Sequence, residues 1–390
     1  MRPFNFPQDG FQLIPADTKF EEETLDQPPS VHYYPTRLGE IFRLRFQVVA
    51  KLGYGRYATA WLVRDLCRGG HWVLKIYSAS KHEPSQSREV IAAKVFKKAR
   101  GYHPGWRHIR LCLDSFQILG PGGRHVCLIY EPQGESILSF RDHFPDKMLS
   151  KSLLQRTLRC TLQALDIMDQ ACIVHARLTP ENILVGVPDK RNVFARLERE
   201  ELENPSPRKI LPNGTEIYAS RPLPVMFGPT VISNFYYAHY DRKKHTGDPM
   251  INCYRAPEIL LGMEWDTKID VWSVGILIWH LFEDCPIFWN EGYRQIEIEH
   301  HLAQMVAMMG PPPKHFLSRS PICRKYWDDD GNWIAATPIP AESFESRESR
   351  LSPEDKVLFF PFIRKILRWV PEERESPKQL LRDPFLAQIG

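Results

Sequence analysis

The sequence has no C-x-x-C pair among its eight cysteines, which lie at 67, 112, 127, 160, 172, 253, 285 and 323. That scatter fits reduced thiols of the cytosol or nucleus and argues against a disulfide framework or a zinc site. It also lacks an excess of one charge. Lys+Arg 51 against Asp+Glu 47 leaves +4, too balanced to argue for direct nucleic-acid or membrane-surface binding. No long hydrophobic run is present: the stretch from Ile269 to Phe282 is shorter than the ~20 residues of a membrane span and contains Asp270 and His280. Met1 to Gly10 carries no basic segment followed by an apolar one, so no secretory signal is expected. No internal repeat is visible. Proline, by contrast, is abundant, with 33 residues, many in connecting segments. Hydrophobic residues at 43% and charged residues at 25% exclude wholesale disorder, collagen and coiled coil. The 390 residues suggest two or three structural units, or one large bilobed one.

Residues 1–40 hold Pro3, Pro7, Pro15, Pro28, Pro29 and Pro35 and a Glu-rich patch at 21–23. They read as a partly disordered arm that docks through Tyr33 and Tyr34. From 41 to 131 short β-type runs dominate: FRLRFQVVAKL, ATAWLVRD, HWVLKIY and HVCLIYE. One helix, SREVIAAKVFKKA at 87–99, interrupts them. From 132 to 390 the pattern is helical. Leu154, Leu158, Leu162, Leu165 and Met168 recur every three or four residues within 151–171, and 269–282 is apolar all round, a buried helix. Further helices are expected at 292–309, 355–369 and 377–387. The charged, proline-bearing stretch at about 187–230 reads as a surface insertion of the helical part.

Gly53-Tyr54-Gly55-Arg56-Tyr57-Ala58 lies between two β runs. Glycines there let a backbone approach phosphates, although a plain glycine hairpin satisfies the pattern equally well. A strand follows it where a Rossmann or Walker loop would have a helix. On the strand Trp72–Tyr77, alternation puts Val73, Lys75 and Tyr77 on one face and Trp72, Leu74 and Ile76 on the other. A lysine in such a place is commonly a snorkelling edge residue. The glycine loop before it and Glu89 on a helix after it give the order that pairs a strand lysine with a helix glutamate and holds phosphates.

The run Ile173-Val174-His175-Ala176-Arg177-Leu178-Thr179-Pro180-Glu181-Asn182-Ile183-Leu184-Val185 resembles a protein-kinase catalytic loop. Tyr254-Arg255-Ala256-Pro257-Glu258 resembles the A-P-E element, Asp270-Val271-Trp272-Ser273-Val274-Gly275 the buried helix behind it, and Arg374 the partner of the A-P-E glutamate. The resemblance covers about Phe42 to Leu386. Finer features are similar to the SR-protein kinase branch, particularly its fungal members: Glu131-Pro-x-Gly134-Glu135-Ser136, His301-Leu-Ala-Gln-Met, Gly310-Pro-Pro-Pro-Lys314, Lys325-Tyr-Trp-Asp-Asp-Asp-Gly-Asn-Trp333 and Asn204-Pro-Ser-Pro-Arg208. The resemblance implies an α+β bilobed protein-kinase fold, with a β-rich lobe at 41–131 carrying one main helix and a larger helical lobe at 132–390. It implies ATP as cofactor, held by Leu52, Gly53, Gly55, Ala60, Val73, Lys75, Glu89 and Glu131. Glu258, Asp270 and Arg374 take structural roles.

The same resemblance implies where the chemistry is altered. The position of the catalytic aspartate, which accepts the substrate hydroxyl's proton, is Arg177, and a guanidinium stays protonated. The usual lysine two residues on is Thr179, while Asn182, a magnesium ligand in the family, is kept. The D-F-G element matches Asn234-Phe235-Tyr236, so Asn234 offers a neutral oxygen where magnesium prefers a carboxylate. Two carboxylates exchanged for a guanidinium and an amide, less one lysine, leave the site more positive by two charges. Metal at Asn182 and Asn234 is therefore expected to be weak or absent, with Lys75 and Arg177 neutralising phosphates directly. Val73, where kinases usually have alanine, narrows the adenine side.

The expectation is a pseudokinase, cytoplasmic or nuclear, acting as a nucleotide-responsive binding or scaffold module for a protein partner. The alternative is an active Ser/Thr kinase on Arg-Ser-rich proteins, which needs a substitute base. Asp241 and Glu181 are the candidates. Thr246 is the sole Ser or Thr from Asn234 to Glu258, beside the basic run Arg242-Lys243-Lys244-His245, a poor dock for basic substrates.

Overall fold

The computed structural model describes residues 2–25, 32–79, 88–99, 101–241, 243–283, 285–289 and 297–387. In chain order the strands and helices are β1 (Ile41–Phe42), β2 (Phe46–Gly55), β3 (Ala58–Asp65), β4 (His71–Tyr77), α1 (Arg88–Lys98), β5 (Asp114–Gly120), β6 (Gly123–Tyr130), α2 (Ile137–Arg141) and α3 (Lys151–Gln170). They continue with β7 (Ile183–Gly186), α4 (Lys190–Glu203), β8 (Arg208–Ile210), β9 (Glu216–Tyr218), β10 (Gly228–Ile232), α5 (Pro257–Leu260) and α6 (Lys268–Phe282). The last are α7 (Ile298–Met309), α8 (Lys314–Leu317), α9 (Phe344–Arg347), α10 (Pro353–Ile366), α11 (Pro377–Leu380) and α12 (Pro384–Ala387). Two units result. The first comprises Met1–Lys94, Arg110–Glu135 and Gly186–Gly228; the second comprises Val95–Ile109, Ser136–Val185 and Pro229–Gly390.

The first unit is built on an antiparallel sheet in the order β1-β2-β3-β4-β6-β5. The alternation of β4 sends Leu74 and Ile76 into a core with Phe46, Val48, Trp61 and Ile129. Val73 turns to the opposite face, with Ala93, Leu128 and Tyr130. Each such fully buried side chain contributes about 1.5–3 kcal/mol.

One expectation is corrected in this unit. The stretch read as a surface insertion of the helical part folds onto the sheet unit, as α4 and the hairpin β8–β9. Asp189 caps α4 by accepting from the Asn192 N–H at 3.3 Å, and Phe194, Leu197 and Tyr218 are buried with the β2 and β3 side chains. Its charge hid the helix, because a single narrow stripe faces inward. The described parts of the 1–40 arm are held to the unit by hydrogen bonds, those of Tyr33 and Tyr34 among them. Phe4 N–H and O bond the Gln47 amide at 2.9 and 2.7 Å, Ile14 N–H donates to Arg208 O at 2.9 Å, and Tyr34 Oη donates to Glu40 at 2.8 Å. Residues 26–31 of that arm, Ser87, Arg242 and 292–296 lie outside the described residues.

In the second unit α3 buries Leu154, Leu158, Leu162, Leu165 and Met168 along one face, and Ser150 caps it through the Leu153 N–H at 3.3 Å. A short 3-10 turn at Pro104–His108 lies against α3 so closely that a Cβ on Gly105 would sit 2.0 Å from the Gln163 carbonyl oxygen. The helix α6 is buried nearly all round, and a Cβ on Gly275 would sit 2.4 Å from Leu367 Cδ2. The single helix expected at 377–387 is two short ones, because Pro384 cannot continue α11.

Candidate functional site

In the first unit the phosphate-type elements lie along β2, β3 and β4. Gly53 pairs with Ala60, and Ala60 with Lys75. Leu52 and Ala60 pack against the cluster that holds Val73. Neither Gly53 nor Gly55 has positive φ, and a Cβ on either would meet nothing within 4 Å. Folding alone therefore does not call for glycine at these positions.

Lys75 Nζ lies 3.1 Å from Glu89 Oε1, with the lysine side chain 24% and the glutamate 2% exposed. The Glu89 carboxylate has further donors that the sequence reading missed: Tyr77 Oη bonds Oε1 and Tyr130 Oη bonds Oε2. Burial pushes the Glu89 carboxyl up, but Lys75 and the two hydroxyls outweigh it and hold the group below its ordinary value. Tyr77 shares the Lys75 face by alternation, so its position was readable; that of Tyr130, on β6, depends on the long-range pairing of β4 with β6. Glu131 lies apart from this group. Its side chain is 57% exposed and pairs with Lys190 at 3.1 Å, and its carbonyl accepts from Arg110 Nε at 2.8 Å.

In the second unit the loop from Ile173 to Asn182 is held from behind. His175 N–H and Ala176 N–H donate to the two oxygens of Asp270 at 2.6 and 2.9 Å, which stabilises Ala176 at φ 67°. Burial pushes the Asp270 carboxyl up to about 7, against the pull of those two N–H groups. His175 also contacts Ser233 O at 3.0 Å, and its ring packs edge-on to Phe235. Glu258 and Arg374, both essentially inaccessible, form a two-pronged pair at 2.7 and 2.6 Å.

The altered positions form one hydrogen-bonded set. Asn182 Nδ2 donates to Arg177 O at 2.8 Å. A carbonyl only accepts, so the Asn182 amide is oriented with Oδ1 on its other side, where it receives Asn234 Nδ2 at 2.9 Å. Thr179 Oγ1, buried, is the third group on the Asn182 side chain, at 3.4 Å. None of these three is a carboxylate. Asn234 sits in the left-handed region at φ 67°, ψ 64°, a conformation asparagine tolerates. The Arg177 guanidinium stacks 4.4 Å from the Tyr237 ring centroid, another contact the sequence did not disclose. Of the substitute bases, Glu181 is exposed, and Asp241 accepts from the Lys243 N–H at 3.2 Å and lies 3.1 Å from His245 Nε2. The chemistry available at Arg177, Thr179, Asn182 and Asn234 is thus hydrogen bonding and positive charge.

Comparison with known proteins accounts for the architecture. Residues 237–386 match the family model of the protein kinase domain. A serine/threonine protein kinase of Aspergillus fumigatus is 38% identical over 384 residues, spanning 97% of this chain and 93% of that one. The serine/threonine-protein kinase SRPK of Physarum polycephalum is 26% identical over 400 residues, covering 95% and 92%. A crystallised kinase domain superposes with a TM-score of 0.69 at 23% identity, over 91% of this chain and 99% of that one, so the fold is the bilobed α+β fold of kinases. With a relative this similar along nearly its whole length, the chain belongs to the serine/threonine protein kinase family.

Proposed function

We propose that this member of the kinase family is a pseudokinase, a binding or scaffold module that responds to a nucleotide and acts through a protein partner. The observation that carries the reading is the Asn182–Asn234 amide pair, with Arg177 beside it. A hydroxyl nucleophile needs a proton acceptor, and Arg177 cannot be one. The pair does not fit a divalent cation either. The Asn182 oxygen already receives an N–H, and Asn234 presents its nitrogen to it, whereas magnesium prefers carboxylate and phosphate oxygens. A phosphate group does fit the first unit: Lys75 retains partial exposure, and the space beside Gly53 and Gly55 is open. Lys75 would neutralise phosphate charge, and the hairpin N–H groups would donate to its oxygens.

The second reading is an active Ser/Thr kinase acting on Arg-Ser-rich protein; the names of the relatives favour its kinase activity and do not bear on the substrate. One assay separates the two. The protein is incubated with labelled ATP, magnesium and an Arg-Ser peptide, beside Lys75→Ala and an Arg177→Asp/Asn234→Asp double variant. The expected result is no transfer by the parent above the Lys75→Ala background. Transfer by the parent above that background overturns the pseudokinase reading.

A further inference from the structure

We propose that two described segments of the N-terminal arm, 20–25 and 32–34, act as a strap that positions the glycine hairpin, with Glu21, Glu22 and Tyr33 as the positioning residues. Three contacts within the first unit carry this. The first is at the root of the hairpin. Lys51, on β2 and 1% exposed, holds its ammonium between Glu21 Oε2 at 3.2 Å and Glu22 Oε2. The second is on the hairpin itself, where the Tyr54 ring lies 5.2 Å from Lys51 Nζ and its hydroxyl 3.4 Å from Thr24 Oγ1. The third is at the tip: the single Tyr33 Oη proton is shared between Gly55 O at 2.9 Å and Arg56 O at 3.2 Å.

The strap is anchored independently of the hairpin. Glu23 pairs with the buried Lys209 at 2.8 Å, Glu21 receives the Ser220 N–H and hydroxyl at 2.9 and 2.6 Å, and Ala79 N–H donates to His32 O at 2.9 Å. A buried ammonium without carboxylates is costly, so Lys51 ties the arm down wherever the sheet is folded. The carbonyls at a hairpin tip are ordinarily left to solvent. Here a hydroxyl from another segment fixes two successive ones, restricting the loop whose freedom would decide how it closes on a phosphate. That last step rests on the reading of the hairpin given above.

The test uses the full chain and two variants, Tyr33→Phe and Glu21→Gln/Glu22→Gln, with Lys51→Arg as the conservative control that keeps the pair. Amide hydrogen exchange is followed peptide by peptide. Exchange at residues 54–58 is expected to quicken about fivefold in Tyr33→Phe, the effect of one lost neutral hydrogen bond on local opening, while β4 and β6 stay protected and Lys51→Arg matches the parent. Unchanged exchange at 54–58, or equal acceleration across the sheet, overturns the strap. Where the double glutamine variant does not fold, Tyr33→Phe alone decides. The fluorescent analogue trinitrophenyl-ATP, with and without magnesium, supplies the second readout, with a Kd shift of at least threefold expected in Tyr33→Phe. An equal Kd in the two proteins overturns the effect on ligand. Absence of binding to the parent sinks the nucleotide reading, while the exchange data still decide the strap.

Discussion

Replacing Asn234 by aspartate supplies the carboxylate that the resemblance leads one to expect at this position, yet the geometry makes that side chain a poor fit. Asn182 is locked by its bond to the Arg177 carbonyl, so its oxygen faces position 234 and requires a donor there. An Asn234→Asp carboxylate has none. It would set acceptor against acceptor at about the present 2.9 Å, and a flip of Asn182 to relieve this would forfeit the 2.8 Å bond to Arg177 O. One lost hydrogen bond plus a partly buried unsatisfied group amounts to about 2 kcal/mol. For a unit of this size that is a fall of roughly 4–8 °C in Tm, read by differential scanning fluorimetry in EDTA. Adding millimolar magnesium should recover much of the loss in the aspartate variant, which then offers an anionic ligand, and leave the parent unmoved. An Asn234→Asp variant as stable as the parent in EDTA would refute the amide pair and the argument built on it.

Glu258→Ala should cost about 3–5 kcal/mol in chemical denaturation, because it leaves the buried Arg374 without its counter-charge; a loss below 1 kcal/mol would show that Arg374 finds another anion. Glu89, held below its ordinary pKa, contributes stability that is fully present above the unfolded value of 4.5 and is lost as pH falls through the depressed folded value. Acid titration of unfolding should show that loss in the parent and not in Glu89→Gln; identical acid limbs would show that the carboxylate is not what titrates.

How far the sequence disclosed this molecule follows from the range of the interactions concerned. Alternation along His71–Tyr77 assigns the two faces of β4 without knowledge of its neighbours, and the leucine spacing of 151–170 does the same for α3. The stretch 187–230 resisted, since α4 shows one narrow apolar stripe among charges and its burial depends on strands more than a hundred residues earlier. At the candidate site, residue types were legible but orientations were not. Asn182 and Asn234 stand 52 positions apart, and which atom each presents follows from a backbone carbonyl that no spacing rule reveals. Tyr237 beneath Arg177 and Tyr130 against Glu89 were hidden for the same reason.

The two tyrosine hydroxyls on Glu89 also bear on experimental practice. In a carboxylate served by Lys75 alone, deleting the lysine would strand a buried anion, and any silence of the variant would be ambiguous between lost chemistry and collapse. Here Tyr77 and Tyr130 continue to solvate Glu89 when the ammonium is gone. A Lys75→Ala protein that keeps the parent's melting temperature therefore reports on ligand handling through its nucleotide affinity, and one that melts lower reports on the buried carboxylate.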